Sequence, residues 1–98
     1  MANRRKLYLC SYDVSDDKRR TRLFQLLHNH GEHVQYSVFL CQLDKTEKIA
    51  LLAKASDILH ADADQLLVVA AGSAEKNLEL QVVTVGRPWR PMIRSHIF

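Results

Sequence analysis

Two periodicities alternate along this chain, and their order constrains its fold more than any other feature. Short apolar runs of strand length are separated by segments whose apolar residues recur at helical spacing. Lys6 to Tyr12 reads as a strand. Ser15, Asp16 or Asp17 can cap the helix that follows, because their side-chain oxygens accept from unpaired N–H groups. That helix runs to about His30, with Leu23, Leu26, Leu27 and His30 at helical spacing and Phe24 widening the face. Gly31 suits a left-handed terminator. His33 to Leu43 is extended, either as one bent strand or as a tight hairpin near Tyr36-Ser37, and the pattern admits both. Asp44 caps a second helix with Glu47 three residues on, as in a capping box. In that helix Ile49, Leu52, Ala53, Ser56 and Leu59 form one face. A loop over Ala61 to Asp64 leads to a strand from Leu66 to Ala71, a turn from Gly72 to Asn77, and another strand from Leu80 to Val85.

The simplest packing of this order places two helices on one face of an antiparallel sheet. The predicted fold class is α+β: a ferredoxin-like β-α-β-β-α-β sandwich with an additional C-terminal strand. Residues 1–85 form the domain and residues 86–98 a basic, aromatic tail. In such a sheet the first and third strands are neighbours, so Cys10 and Cys41 come close as reduced core thiols. The other sheet face stays uncovered, and a second copy is the obvious cover, which predicts a homodimer. A chain of 98 residues buries a modest core, so pairing would also stabilise it.

The formal charge is +3, and its distribution is more informative than its size. Arg4, Arg5, Lys6, Lys18, Arg19, Arg20 and Arg22 lie in the first quarter; Arg87, Arg90 and Arg94 lie in the tail. Basic patches at both ends fit a polyanion such as DNA or RNA. The two cysteines make neither a disulfide framework nor a C-x-x-C pair. No apolar run reaches the length of a membrane span and no signal peptide is visible, so the expected location is cytoplasmic, with no membrane partner. P-loop, G-x-G-x-x-G and G-x-S-x-G patterns are absent from the sequence. His28, His30 and His33 are spaced H-x-H-x-x-H, but a structural zinc site wants four ligands, and histidines at a helix C-terminus ordinarily serve the dipole.

Asp13 is the leading candidate for chemistry. It ends the first apolar run, where a carboxylate reaches the sheet edge. Magnesium needs only one or two protein carboxylates when water and phosphate oxygens complete its shell. A two-fold dimer would bring a second Asp13 across the axis, and a metal between the two could activate water. The alternative is that Asp13 caps the next turn. Asp16 and Asp17 fit caps and dipole partners. Arg19 and Arg22 share a helix face while Arg20 points elsewhere. Guanidinium forks suit phosphate. Tyr12 fits stacking on a base or a place in the core. In the tail, Trp89, Met92, Ile93, Ile97 and Phe98 beside three arginines look like a docking segment for a dimer mate or another protein.

Two blocks carry a resemblance. One is Tyr12-Asp13-Val14 followed by Asp16-Asp17 and by Arg19, Arg20 and Arg22. The other is Val34-Gln35-Tyr36-Ser37-Val38-Phe39. Together they resemble the small CRISPR-associated adaptation nucleases, the "Cas-two" family. The resemblance implies a homodimer in which the two Asp13 carboxylates face each other and bind magnesium or manganese. It implies an endonuclease acting on single-stranded RNA or double-stranded DNA, and a structural bridge between dimers of the "Cas-one" integrase. It implies site roles for Tyr12 and Asp13 in catalysis, and for Arg19, Arg20, Arg22, His33 and Phe39 in nucleic-acid binding. The family often has arginine where this chain has His33, so a cation there depends on pH. A non-catalytic adaptor for the integrase and a toxin-type ribonuclease are the alternative readings.

Overall fold

A computed structural model of the chain describes residues 4–73 and 82–89. The elements are β1 (Lys6–Asp13), α1 (Asp17–His28), β2 (Gly31–Gln35), β3 (Val38–Leu43), α2 (Lys45–Ile58) and β4 (Gln65–Ser73). The sheet order is β2-β3-β1-β4 and every neighbouring pair is antiparallel. This is the ferredoxin-like arrangement predicted from the sequence. The stretch from His33 to Leu43 is a hairpin. Its turn at Tyr36-Ser37 holds Tyr36 at a φ of +38°, in the left-handed region that few non-glycine residues adopt. The strand predicted from Leu80 begins outside the described residues, and residues 82–85 form no strand.

Strand alternation assigns each side chain to a face. Tyr8 and Cys10 of β1, with Phe39, Cys41 and Leu43 of β3, face the helices and pack on Leu23, Leu27, Leu51 and Ala55. Burying each large apolar side chain contributes roughly 1.5–3 kcal/mol. Cys10 and Cys41 sit diagonally across β1 and β3, with Cys10 opposite Phe39 and Cys41 opposite Tyr8. Their sulfurs are 3.9 Å apart and unbonded, as free, buried thiols.

Three local expectations change. Gly31 does not terminate α1, which ends at the right-handed Asn29 cap. Gly31 opens β2 opposite Cys41, and a Cβ there would lie 2.2 Å from the Leu40 carbonyl oxygen and 2.7 Å from the Cys41 Cα. Close approach, and not a left-handed turn, requires glycine. The inward face of α2 is Leu51 and Ala55, whereas Ile49 and Leu52 are 60% and 39% exposed, and Ala53 and Ser56 also face solvent. A helix apolar on both sides gives no unique phase, and tertiary packing selected the other stripe. The capping box at α2 is present as expected: Glu47 N–H donates to Asp44 Oδ1 at 2.7 Å, and Asp44 N–H donates to Glu47 Oε1 at 2.9 Å. Among the described residues, no helix is long and apolar enough to cross a membrane.

Candidate nucleic-acid and metal site

One end of the sheet collects the groups of interest. β1 arrives there with Asp13, and α1 begins four residues beyond. The β2–β3 turn reaches the same end, where Tyr12 N–H donates to the Ser37 carbonyl at 3.3 Å. β4 starts there with Gln65 directly opposite Asp13. The Asp13 side chain is exposed and accepts no hydrogen bond among the described residues. The turn-cap alternative for Asp13 therefore fails: Asp16 is the N-cap, accepting from Arg19 N–H at 2.9 Å.

No cluster of three or more His, Cys, Asp or Glu side chains suited to a metal occurs among the described residues. Asp13 is the free carboxylate at the end of β1, with no cluster of ligands around it among the described residues. That donor set fits magnesium where water, substrate phosphate and a second carboxylate complete the shell, and does not fit an ion held by one protomer alone.

The arginines divide differently from the expectation. Arg19 is engaged within the chain. Its Nε and Nη2 donate to Asp64 at 2.6 and 3.2 Å, and the Asp64 side chain has no accessible surface. Asp64 also accepts from His60 N–H at 2.9 Å. The Arg19 fork, seconded by that backbone N–H, holds the Asp64 carboxyl below its usual range. The charge of Arg19 is matched within the chain in this way, unlike that of Arg22. Arg20 Nη1 donates to the Val14 and Ser15 carbonyls at 3.0 and 3.3 Å, and its Nη2 pairs with Asp17. It braces the β1–α1 loop. Arg22 and Lys18, one helical turn apart, are exposed and make no ion pair among the described residues. Among the cations of α1, these two are the ones left without an ion pair among the described residues.

The aromatic candidates lie on the helix side. Tyr12 is half-buried against α1 beside Arg20, Thr21 and Phe24. Burial raises its phenol above the ordinary value, and the nearby Arg20 charge only partly opposes this. At neutral pH it is a hydrogen-bond donor and not a base. Because it precedes Asp13 in a strand, the two side chains point to opposite faces. Phe39 has no exposed surface, so its expected role as a nucleic-acid contact is corrected: it is core. Its ring meets His33 at 4.8 Å and Phe24 at 5.3 Å between centroids. His33 donates from Nε2 to the Tyr36 carbonyl at 2.6 Å, which fixes a proton on that nitrogen. His30 bonds the Leu26 carbonyl and His28 stacks on Phe24, so the three histidines do not converge on one point. Trp89 donates from Nε1 to the His33 carbonyl at 2.8 Å, so this tail residue docks on its own chain. The rest of the predicted tail, residues 90–98, lies outside the described residues. Sequence reasoning missed Asp64, whose partner is 45 residues away.

Fold and site together define a class: a small ferredoxin-like protein with a free carboxylate at the end of its first strand and cations on the following helix. The family model described as CRISPR associated protein Cas2 matches residues 6–77. The chain is 34% identical over 91 residues, covering 93% of it and 95% of the relative, to a "CRISPR-associated endoribonuclease Cas2" of Geobacter sulfurreducens. A solved structure of a hypothetical protein from Thermus thermophilus matches 90% of this chain and 99% of that one, with a TM-score of 0.75 and 33% identity. Streptococcus pyogenes Cas2 matches with a TM-score of 0.70 and 27% identity, covering 82% of this chain and 99% of that one. The chain belongs to the CRISPR-associated Cas2 family.

Proposed function

We propose that this protein is a magnesium-dependent endonuclease of CRISPR spacer acquisition, working as a homodimer on single-stranded RNA. The observation that carries this reading is the exposed, unpartnered Asp13 at the end of β1, followed in the chain by the exposed cations Lys18 and Arg22 of α1. The endoribonuclease name of the Geobacter relative supports the choice of RNA.

In this reading Asp13 from each protomer holds the ion, with manganese able to replace magnesium. The ion, when bound, supplies positive charge to the scissile phosphate and lowers the pKa of a bound water. Lys18 and Arg22 hold backbone phosphates along α1. Such contacts carry no sequence information and weaken steeply with salt. Arg20 keeps the β1–α1 loop in shape. Tyr12 and His33 lie on the helix side of the sheet, behind Asp13, and in this reading support the site by packing.

The test is cleavage of labelled single-stranded RNA and double-stranded DNA by wild type and Asp13→Ala, with magnesium or EDTA. Cleavage of RNA that needs both the ion and Asp13 supports the reading, and cleavage of DNA alone would change the substrate. Cleavage that survives Asp13→Ala would contradict it.

A second reading is favoured by one specific observation. Leu67 and Val69 on the helix-free face of β4 are 51% and 43% exposed, a surface suited to assembly and independent of any metal. In that reading the protein is an adaptor bridging the Cas-one integrase and DNA, and Asp13→Ala leaves assembly and DNA binding intact.

A further inference from the structure

Tyr12 and Leu66 pack against the core on the helix side of the sheet. Their neighbours Asp13 and Gln65 therefore project from the opposite face. On that face β1 and β4 present a ladder of direct pairs: Leu9 with Val69, Ser11 with Leu67, and Asp13 with Gln65. Directly opposed side chains in an antiparallel pair have Cβ atoms about 4.5–5.5 Å apart. Gln65 is exposed and, like Asp13, has no hydrogen-bond partner among the described residues. Both groups thus stand side by side with their polar atoms uncommitted.

The backbone under Gln65 is fixed. The preceding residue, Asp64, is gripped by the Arg19 fork at 2.6 and 3.2 Å and by His60 N–H at 2.9 Å. A site side chain placed on a strand whose start is clamped this way is held close to one geometry. Its chemistry also suits the position. An amide beside Asp13 adds two N–H donors and no negative charge, so it can bond a phosphate oxygen without repelling it. A carboxylate in the same place would add a metal ligand and a repulsion together.

We propose that Gln65 is a substrate-binding residue of the Asp13 site, where its amide N–H donates to a non-bridging oxygen of the phosphodiester next to the ion. This rests on the reading of Asp13 as the metal carboxylate. It adds β4 to a site the sequence motifs place on β1, α1 and the β2–β3 hairpin.

The experiment compares wild type, Gln65→Ala, Gln65→Glu and Asp13→Ala on labelled single-stranded RNA across a magnesium titration. RNA binding is measured in parallel with calcium in place of magnesium, so that one readout needs no turnover. Loss of one hydrogen bond to a charged group should raise the KM and the calcium-state Kd of Gln65→Ala about tenfold. Gln65→Glu, with two carboxylates side by side, should reach half-maximal cleavage at a several-fold lower magnesium concentration. An unchanged KM and Kd in Gln65→Ala would overturn the proposal. So would an unshifted magnesium midpoint in Gln65→Glu, because the side chain would then lie away from the ion. If Asp13→Ala cleaves like wild type, the reading of Asp13 falls instead, and the inference falls with it; that arm separates the two failures.

Discussion

At the residue scale, Gly31 and Asp64 show how a single position can be indispensable for reasons a sequence pattern hides. A Cβ on Gly31 would collide with backbone atoms of Leu40 and Cys41, which cannot swing aside as a flexible side chain would. Gly31→Ala should therefore lower stability by about 1–3 kcal/mol, read as a shift in denaturant midpoint at constant slope. Asp64 makes a pH prediction. Its carboxyl titrates below its ordinary range because Arg19 and the His60 N–H favour the charged form. A depressed folded pKa means the unfolded chain binds the proton first as pH falls. The contribution to stability is complete above the unfolded value of about 3.9 and is lost as pH drops through the folded one. Urea midpoints measured from pH 7 downward should fall in this acid window for wild type, and Asp64→Asn should lack that part of the decline. The exposed place of Asp13 at the end of β1 was legible from sequence because a carboxylate ending an apolar run is conspicuous. Asp64 was not: its role depends on a partner that only the fold brings near. Phe39 was misjudged for a related reason, since motif resemblance gives a residue's identity but not which sheet face it takes.

At the element scale, strong local signals survived folding. β1 and α1 appear where alternation and helical spacing put them, and the Asp44–Glu47 box starts α2 as its spacing implied. Both signals are local, set by residues within one turn of each other. The phase of α2 was not legible, because Ile49, Leu52 and Ala53 compete with Leu51 and Ala55 as an apolar stripe. The observed phase makes opposite predictions for two faces of the same turn. Leu51→Ala should cost about 2–5 kcal/mol, as expected for a fully buried leucine. Ile49→Glu, on the exposed side, should stay within about 0.5 kcal/mol of wild type. Thermal or denaturant unfolding of the two variants checks the assignment. Arginines divide by element as well. Arg19 ties α1 to the start of β4, Arg20 braces the loop before α1, and Arg22 is left for a ligand, although all three read alike in sequence.

At the scale of the whole molecule, two features fit the pairing proposed here. The helix-free sheet face presents Leu67 and Val69 to solvent, and the same face carries Asp13 and Gln65 at one end. A second copy seated there would cover the apolar ladder and supply the second carboxylate that a single protomer lacks. Assembly and chemistry would then depend on one surface, and a charge placed in its middle would disrupt both while leaving the core facing the helices untouched. The direct measurement is solution mass, taken together with magnesium-dependent RNA cleavage, for wild type, Leu67→Asp and Asp13→Ala. The account predicts a dimer that cleaves for wild type, a folded monomer without cleavage for Leu67→Asp, and a dimer without cleavage for Asp13→Ala. A monomeric Leu67→Asp that cleaves as fast as wild type would contradict it.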